Sequence, residues 1–439
     1  MSQTAIRLLN LVESGFSNDQ VNSLVPRASV DINVALESVR PLLQDVAERG
    51  VDAVVEVTIA RDGVDPNPIR VSQSEIDSAV ANLDPELRRA IEESIVRVRQ
   101  VSVANLPQDT TVELAPGALV HQRWQPVDSV GLYVPGGKAV YPSSVIMNVV
   151  PAQAANVPRL AIASPAQKDF GGRPHPTVLA TAGLLGVTEI YSMGGPAAVA
   201  AFAYGLPQLP MKSVQLVTGP GNIYVAAAKR ALRGLIGIDS EAGTTEILVL
   251  ADATADARLI AYDLVSQAEH DEAAASVLVT TSLPLALEVQ AVLPQIMAAT
   301  HHSERVATAL AGQQSAIVVV ASWDDAVRFS NEYATEHLEI HSADDRGTAK
   351  KITNAGAIFL GKFSPVSLGD YMAGSSHVLP TGQQAKFGSG LGVHSFLRAQ
   401  QIIDYSSTGL AGIAKLVDGF AKAEGLPAHG EAVTARFDH

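Results

Sequence analysis

The 439 residues carry 31 Lys and Arg against 45 Asp and Glu, a formal charge of -14 that disfavours a polyanionic partner such as nucleic acid. With 47% hydrophobic and 17% charged residues, the chain reads as globular rather than disordered and is long enough for about two to four domains. Cysteine is absent, which removes disulfides, thiolate metal ligands and every cysteine-nucleophile mechanism, and makes a cytoplasmic setting the default. The chain opens without a basic start leading into a long apolar stretch, and it lacks any run of about twenty apolar residues, so neither secretion nor membrane spanning is expected.

Residues 1–27 place Ile6, Leu9 and Val12 at helical spacing, which predicts a short amphipathic arm, too small to fold alone, that docks elsewhere. Helical patterns follow over 31–50, from Asp31, and over 72–103, the second opening on Ser72-Gln73-Ser74-Glu75. Between them 51–59 reads as a strand, and 111–120 and 129–134 are β-like, ending at the turn Pro135-Gly136-Gly137.

From there to about 239 short apolar strands at 131–134, 159–163, 189–193 and 214–217 alternate with helices at 143–156, 177–185, 197–204 and 223–233. Such alternation implies a parallel sheet covered on both faces, a Rossmann-like half whose ligands gather at the carboxyl ends of the strands. Tyr133, Gly136, Gly137, Gly194, Gly195 and the stretch from Gly219 to Asn222 fall there. A second series follows, with strands at 246–250, 276–279, 316–320 and 357–360 and helices at 257–269, 283–298, 323–333 and 345–354. The expected architecture is α/β, with two Rossmann-like doubly wound domains and helical arms at both ends. Residues 28–131 and 240–390 form one discontinuous domain in this reading, interrupted by 132–239, with arms at 1–27 and 391–439. After Gly361 a Gly- and Ser-rich irregular stretch runs to about 392, a length that usually signals function.

Gln267 and His270, three apart near the end of a helix, share a face and can aim an amide oxygen and an imidazole at one point. Two ligands do not make a metal site, so a solvated helix end is the plainer reading of this spacing alone. Asp370 and His429 would complete a thiolate-free set suited to zinc or a similar divalent ion with room left for substrate, although each read singly is a loop residue. Glu336-His337 offers a carboxylate to activate water and an imidazole to accept an alcohol proton; as a bare dipeptide it is more often surface. A zinc hydrolase could use the same groups. Gly219-Pro220-Gly221-Asn222, between strand and helix, suits phosphate or ribose but lacks the full dinucleotide fingerprint. His301-His302, with only Glu304 beside it, reads as surface, Lys138 as a weak phosphate candidate, and Gly388 to Gly392 as a loop.

Taken together, these stretches resemble the histidinol dehydrogenase family. The resemblance runs from about residue 30 to the tail through Gly131 to Gly137, Gly219 to Asn222, the Gln267–His270 helix, Glu336-His337, Gly369-Asp370-Tyr371 and Glu424 to His429. It implies a zinc- and NAD-dependent oxidation of L-histidinol through the aldehyde to L-histidine, in a homodimer. By that resemblance Gln267, His270, Asp370 and His429 match zinc ligands, His429 coming from the partner subunit's C-terminal arm, and Glu336 and His337 match the acid-base pair. The zinc ligands and His337 also touch substrate in that pattern, together with Thr245, His377 and Glu424, while Tyr133 and Asn222 match NAD contacts in the 132–239 domain. Two positions depart from the family pattern: Thr245 stands for a serine and keeps its hydroxyl, whereas Ala197 stands for a glutamine that contacts NAD and keeps nothing polar.

Overall fold

The structure, a computed structural model, describes residues 6–28, 32–136, 140–241 and 243–437, so Asp31, Gly137, Lys138 and Ala242 lie outside the described residues. In chain order the first strands are β1 (Arg7–Asn10), β2 (Thr110–Ala115), β3 (Ala118–Pro126), β4 (Ser129–Tyr133), β5 (Arg159–Ser164), β6 (Glu189–Ser192), β7 (Leu216–Thr218) and β8 (Gly237–Ile238). They continue with β9 (Glu246–Ala251), β10 (Ala275–Thr280), β11 (Ala316–Val319), β12 (His337–His341), β13 (Ala357–Leu360) and β14 (Leu397–Tyr405).

These strands make a parallel five-stranded sheet, β6-β5-β4-β7-β8, and a parallel six-stranded sheet, β1-β11-β10-β9-β12-β13. A small antiparallel sheet, β14-β3-β2, completes the set. Both large sheets are covered on two faces, which is why most of their inner strands are near-continuous apolar runs, β12 with His337, Glu339 and His341 being the exception. The α/β expectation therefore holds, with a different grouping of the early helices.

Residues 32–104 pack mainly on the five-stranded sheet, while Ser94 Oγ also donates to the Tyr371 carbonyl of the 240–390 unit. The helix Ile32–Arg49 buries Ala35, Val39, Leu43 and Val46 against the helices Gly195–Tyr204 and Ile223–Leu232 on one face. On the other, Ile76, Ile91 and Val98 join the core beneath Pro142–Ala154 and Pro176–Leu184. The expected helix over 72–103 is two helices, because Asp84-Pro85 stops the first and Asp84 caps the second through the amides of Glu86 and Leu87. Ser72 and Glu75 form the expected capping box.

The segment 51–59 is part of a helix, Val51–Asp62, rather than a strand. Its β-branched residues favoured a strand locally, but Ala53, Val54 and Thr58 bury one helical stripe, and Gly63, at a φ of 66°, closes the end in the left-handed conformation. The N-terminal arm is likewise not an amphipathic helix at its start. β1 lies parallel on the edge of β11, with Ile6 and Leu8 facing one core and Leu9 and Leu11 the other, a period of two hidden by only four strand residues. The C-terminal region is helical only after β14, in Ser407–Ala411, Ala414–Ala423 and Pro427–Thr434. Among the described residues no helix is long and apolar enough to cross a membrane.

The two large sheets meet by opposite ends. The loops after β4 and β7, at the carboxyl edge of one sheet, face residues just before and at the start of β9 and β12, at the amino edge of the other.

Candidate active site

A cavity of about 510 Å³ lies along that junction. Its wall includes Thr245, His270, Glu336, His337, Asp370 and His377 from the six-stranded side and Pro220, Gly221 and Asn222 from the five-stranded side.

Glu336 precedes β12 and is buried, its Oε2 accepting from the Thr245 hydroxyl at 2.6 Å and the Glu246 amide at 3.0 Å. The Thr245 oxygen in turn accepts from Gln267 Nε2 at 2.6 Å, so one hydroxyl joins the carboxyl to the amide. Burial outweighs these bonds and lifts the Glu336 carboxyl to about 7, with His270 pulling it down and Asp370 pushing it up.

His337 opens β12. Its Nδ1 lies 3.1 Å from the Glu246 carbonyl, and since a carbonyl only accepts, Nδ1 carries the proton and Nε2 is left as the basic nitrogen. Burial holds this imidazole below its ordinary value, against the pull of Asp370, so its 3.7 Å contact with Glu336 joins a neutral ring to a carboxyl and is no ion pair. The backbone of Glu246 thus fixes both members of the pair, its N–H on Glu336 and its C=O on His337.

His377 comes from the irregular stretch, its Nδ1 3.1 Å from the Asp370 carbonyl and its Nε2 3.4 Å from Ser144 Oγ. Asp370 acts electrostatically on Glu336, His337 and His377, and His270 on Glu336 and His377, so these five groups form one cluster. Gln267 is fully buried, and its Oε1 has no hydrogen-bond partner among the described residues, while its Nε2 is held by Thr245. His270 turns Nδ1 towards the Gln267 carbonyl, 3.3 Å away. Such an orphaned amide oxygen, on the same helix end as the cavity-lining His270, fits a borderline divalent cation.

Two expected residues are not brought in. His429, on the helix Pro427–Thr434, and Glu424, in the turn before it, are exposed and line neither cavity of the same chain. His301 and His302 pack edge-on against each other at 4.8 Å, away from both cavities. Gly388 to Gly392 is a loop, as expected.

A second cavity of about 880 Å³ opens at the carboxyl edge of β4, β5 and β6, walled by Tyr133, Gly136, Gly194, Gly195, Ala197 and Asn222 among others. The Tyr133 hydroxyl accepts from the Gly195 amide at 3.1 Å, and burial raises the phenol to about 12, so it stays protonated. Asn222 lies in the walls of both cavities and caps the helix Ile223–Leu232 through the amides of Tyr224 and Val225. Gly219, at a φ of 115°, approaches Tyr133 so closely that a Cβ would sit 2.0 Å from its carbonyl oxygen. Buried Lys229 holds this loop, donating to the Gly219 carbonyl and to Asp239, which accepts from the Gly219 amide. Ala197 is buried in the wall and offers no polar atom.

Sequence reasoning did not single out Arg27 or the side chain of Glu246. Glu246 Oε2 pairs with Arg27 Nε at 2.7 Å and Oε1 accepts from the Gly382 amide at 2.6 Å, while burial raises its carboxyl to about 7. The available signal was an acidic residue opening an otherwise apolar strand.

Two parallel-sheet units closing over a buried acid and imidazole place the chain among the two-domain α/β enzymes. The family model for histidinol dehydrogenase matches residues 25–437. Similar chains include the histidinol dehydrogenases of Leifsonia xyli subsp. xyli, 55% identical with 94% of this chain and 95% of that one covered, and of Mycolicibacterium smegmatis, 51% identical with 100% and 99% covered. A crystal structure of histidinol dehydrogenase from Elizabethkingia anophelis superposes with a TM-score of 0.91 at 30% identity, covering 99% of this chain and 98% of that one. This chain belongs to the histidinol dehydrogenase family, a family of oxidoreductases.

Proposed function

We propose that the chain oxidises L-histidinol through the aldehyde to L-histidine in the cytoplasm, using zinc and two NAD in turn, as a homodimer. Gln267, His270 and Asp370 would hold the zinc, and His429 of a second copy would complete the set, which accounts for its exposure here. When bound, zinc would orient the substrate through its amino and imidazole nitrogens. The chain's own residues carry the protons. His337 Nε2 accepts the hydroxyl proton as hydride leaves the carbinol carbon, the Glu246 carbonyl holding the ring in the required tautomer. Glu336, titrating near 7, draws a proton from the water that attacks the aldehyde; the hydrate then loses a second hydride and a proton to give the acid. With no cysteine in the chain, water attack needs no thiohemiacetal.

NAD would accept each hydride from the second cavity, with Tyr133 and Asn222 as its contacts. Asn222, standing in both walls, marks where the two reactants meet. Thr245, His377 and, across the interface, Glu424 would touch substrate. In this reading 132–239 is the NAD-binding unit and 391–439 is the arm exchanged between subunits.

The single observation that carries the reading is His337, anchored through Nδ1 on the Glu246 carbonyl, beside the buried Glu336. The test is NADH absorbance after L-histidinol and NAD are added to zinc-loaded protein. Two NADH per histidinol are expected, lost on chelation and restored by zinc. No NADH from folded, metal-loaded protein would end the proposal.

A further inference from the structure

Behind the catalytic pair the same strand and helix carry a second polar cluster. Glu339 and His341 follow His337 at every other residue of β12, so all three share one face of the sheet, and Asp263 sits one turn before Gln267 on the helix Ala257–Ala268. One ligand atom from each of Asp263, Glu339 and His341 lies within 4.8 Å of the others. Glu339 is fully buried and His341 is 5% exposed, while Asp263 is half-buried and leaves one side open to water.

The cluster is incomplete as it stands. Glu339 Oε1 accepts from the Val366 amide at 2.7 Å, but His341 Nε2, 3.4 Å from Glu339 Oε2, has no hydrogen-bond partner among the described residues. No lysine or arginine among the described residues pairs with Asp263 or Glu339. Two carboxyls pressed together without a cation must share a proton, and burial with the Glu339 charge pushes Asp263 well above the ordinary carboxylate range.

We propose that Asp263, Glu339 and His341 form a second divalent-cation site, distinct from the Gln267–His270–Asp370 cluster. Two carboxylates and one imidazole suit a manganese- or zinc-like ion, with water completing the shell on the open Asp263 side. Its role is structural: a cation there would pin β12, the helix Ala257–Ala268 that carries Gln267 and, through the Val366 amide, the helix Val366–Tyr371 that carries Asp370. Binding displaces the shared proton.

The inference is independent of whether the cleft holds zinc, and the experiment keeps the two apart. Chelator-stripped full-length protein is titrated with Mn2+, free Mn2+ being read by electron paramagnetic resonance. H270A, which removes a cleft ligand, is expected to bind one Mn2+ per chain at this site, with release of about one proton at pH 7 and a rise in melting temperature. In H270A/D263N and H270A/H341Q that equivalent and the rise are expected to be lost, circular dichroism of the metal-free proteins confirming that they fold. H270A binding no Mn2+, or both double variants binding as much as H270A, would overturn the second site.

Discussion

Lys229 is the group whose removal the structure prices most clearly. Its side chain is 2% exposed and that of Asp239 4%, with Nζ 2.6 Å from Asp239 Oδ1, and Asp239 Oδ2 accepting from the Gly219 amide at 2.8 Å. Lys229→Met keeps the aliphatic stem but leaves a buried carboxylate alone, which costs about 3–5 kcal/mol. Asp239→Asn on that background removes the stranded charge while keeping an acceptor for the Gly219 amide, leaving about 1–2 kcal/mol for the lost hydrogen bonds. The double variant should therefore be more stable than Lys229→Met by about 2–3 kcal/mol. Urea unfolding of the wild type, both singles and the double closes the cycle. Because the Gly219–Asn222 loop walls both cavities, Lys229→Met should also raise KM for NAD more than it lowers kcat. Strict additivity, with the double variant worse than either single, would refute the account of a charge pair holding the loop.

Thr245→Val removes the hydroxyl shared by Gln267 and Glu336; it should cost about 1–3 kcal/mol in urea unfolding and about 10- to 100-fold in NADH formation, with Thr245→Ser restoring both. A rate equal to wild type would rule the hydroxyl out. Glu246 has its carboxyl raised on folding from 4.5 to about 7, so its contribution to stability is whole below about pH 4.5 and lost as pH climbs through 7. Glu246→Gln should consequently flatten the fall in stability between pH 5 and 8, and a steeper fall in the variant would contradict the sign. Mixing His429→Ala with Asp370→Ala protein should recover activity that neither has alone; no recovery after subunit exchange would mean that each site is built within one chain.

Much of the fold was legible because most of the chain's inner strands are buried apolar runs and its helices are Ala-rich, so most of the alternation from β4 onward stood within a few residues of the observed bounds, although the helix expected over 345–354 ends at Ala349 and the helix Ser303–Ala311 was not anticipated. What was missed has local causes. β1 offers four residues, too few for a period to declare itself, and 51–59 is β-branched where tertiary burial wants a helix. β12 was not among the expected strands, because His337, Glu339 and His341 put polar groups on a face that is buried. A local rule is broken there by residues that do chemistry. The cluster of His270, Glu336, His337, Asp370 and His377 could be guessed residue by residue only through family resemblance, since their separations of up to about a hundred positions carry no spacing signal. Glu246 was missed for the opposite reason: it looks like the polar start of an ordinary strand.

Because the two sheets meet by unlike edges, the helices around the cleft present unlike poles. On the five-stranded side, Gly195–Tyr204 and Ile223–Leu232 begin at the second cavity, directing the positive ends of their macrodipoles towards it. On the six-stranded side, Ala257–Ala268 and Trp323–Tyr333 finish near the first cavity, turning partial negative charge towards Gln267, His270 and Glu336. The backbone alone therefore sets up a potential gradient across the cleft, favouring anionic phosphates in one half and a cation or a protonated amine in the other. A ligand carrying charges of both signs at opposite ends would be oriented by that field before any side chain touched it.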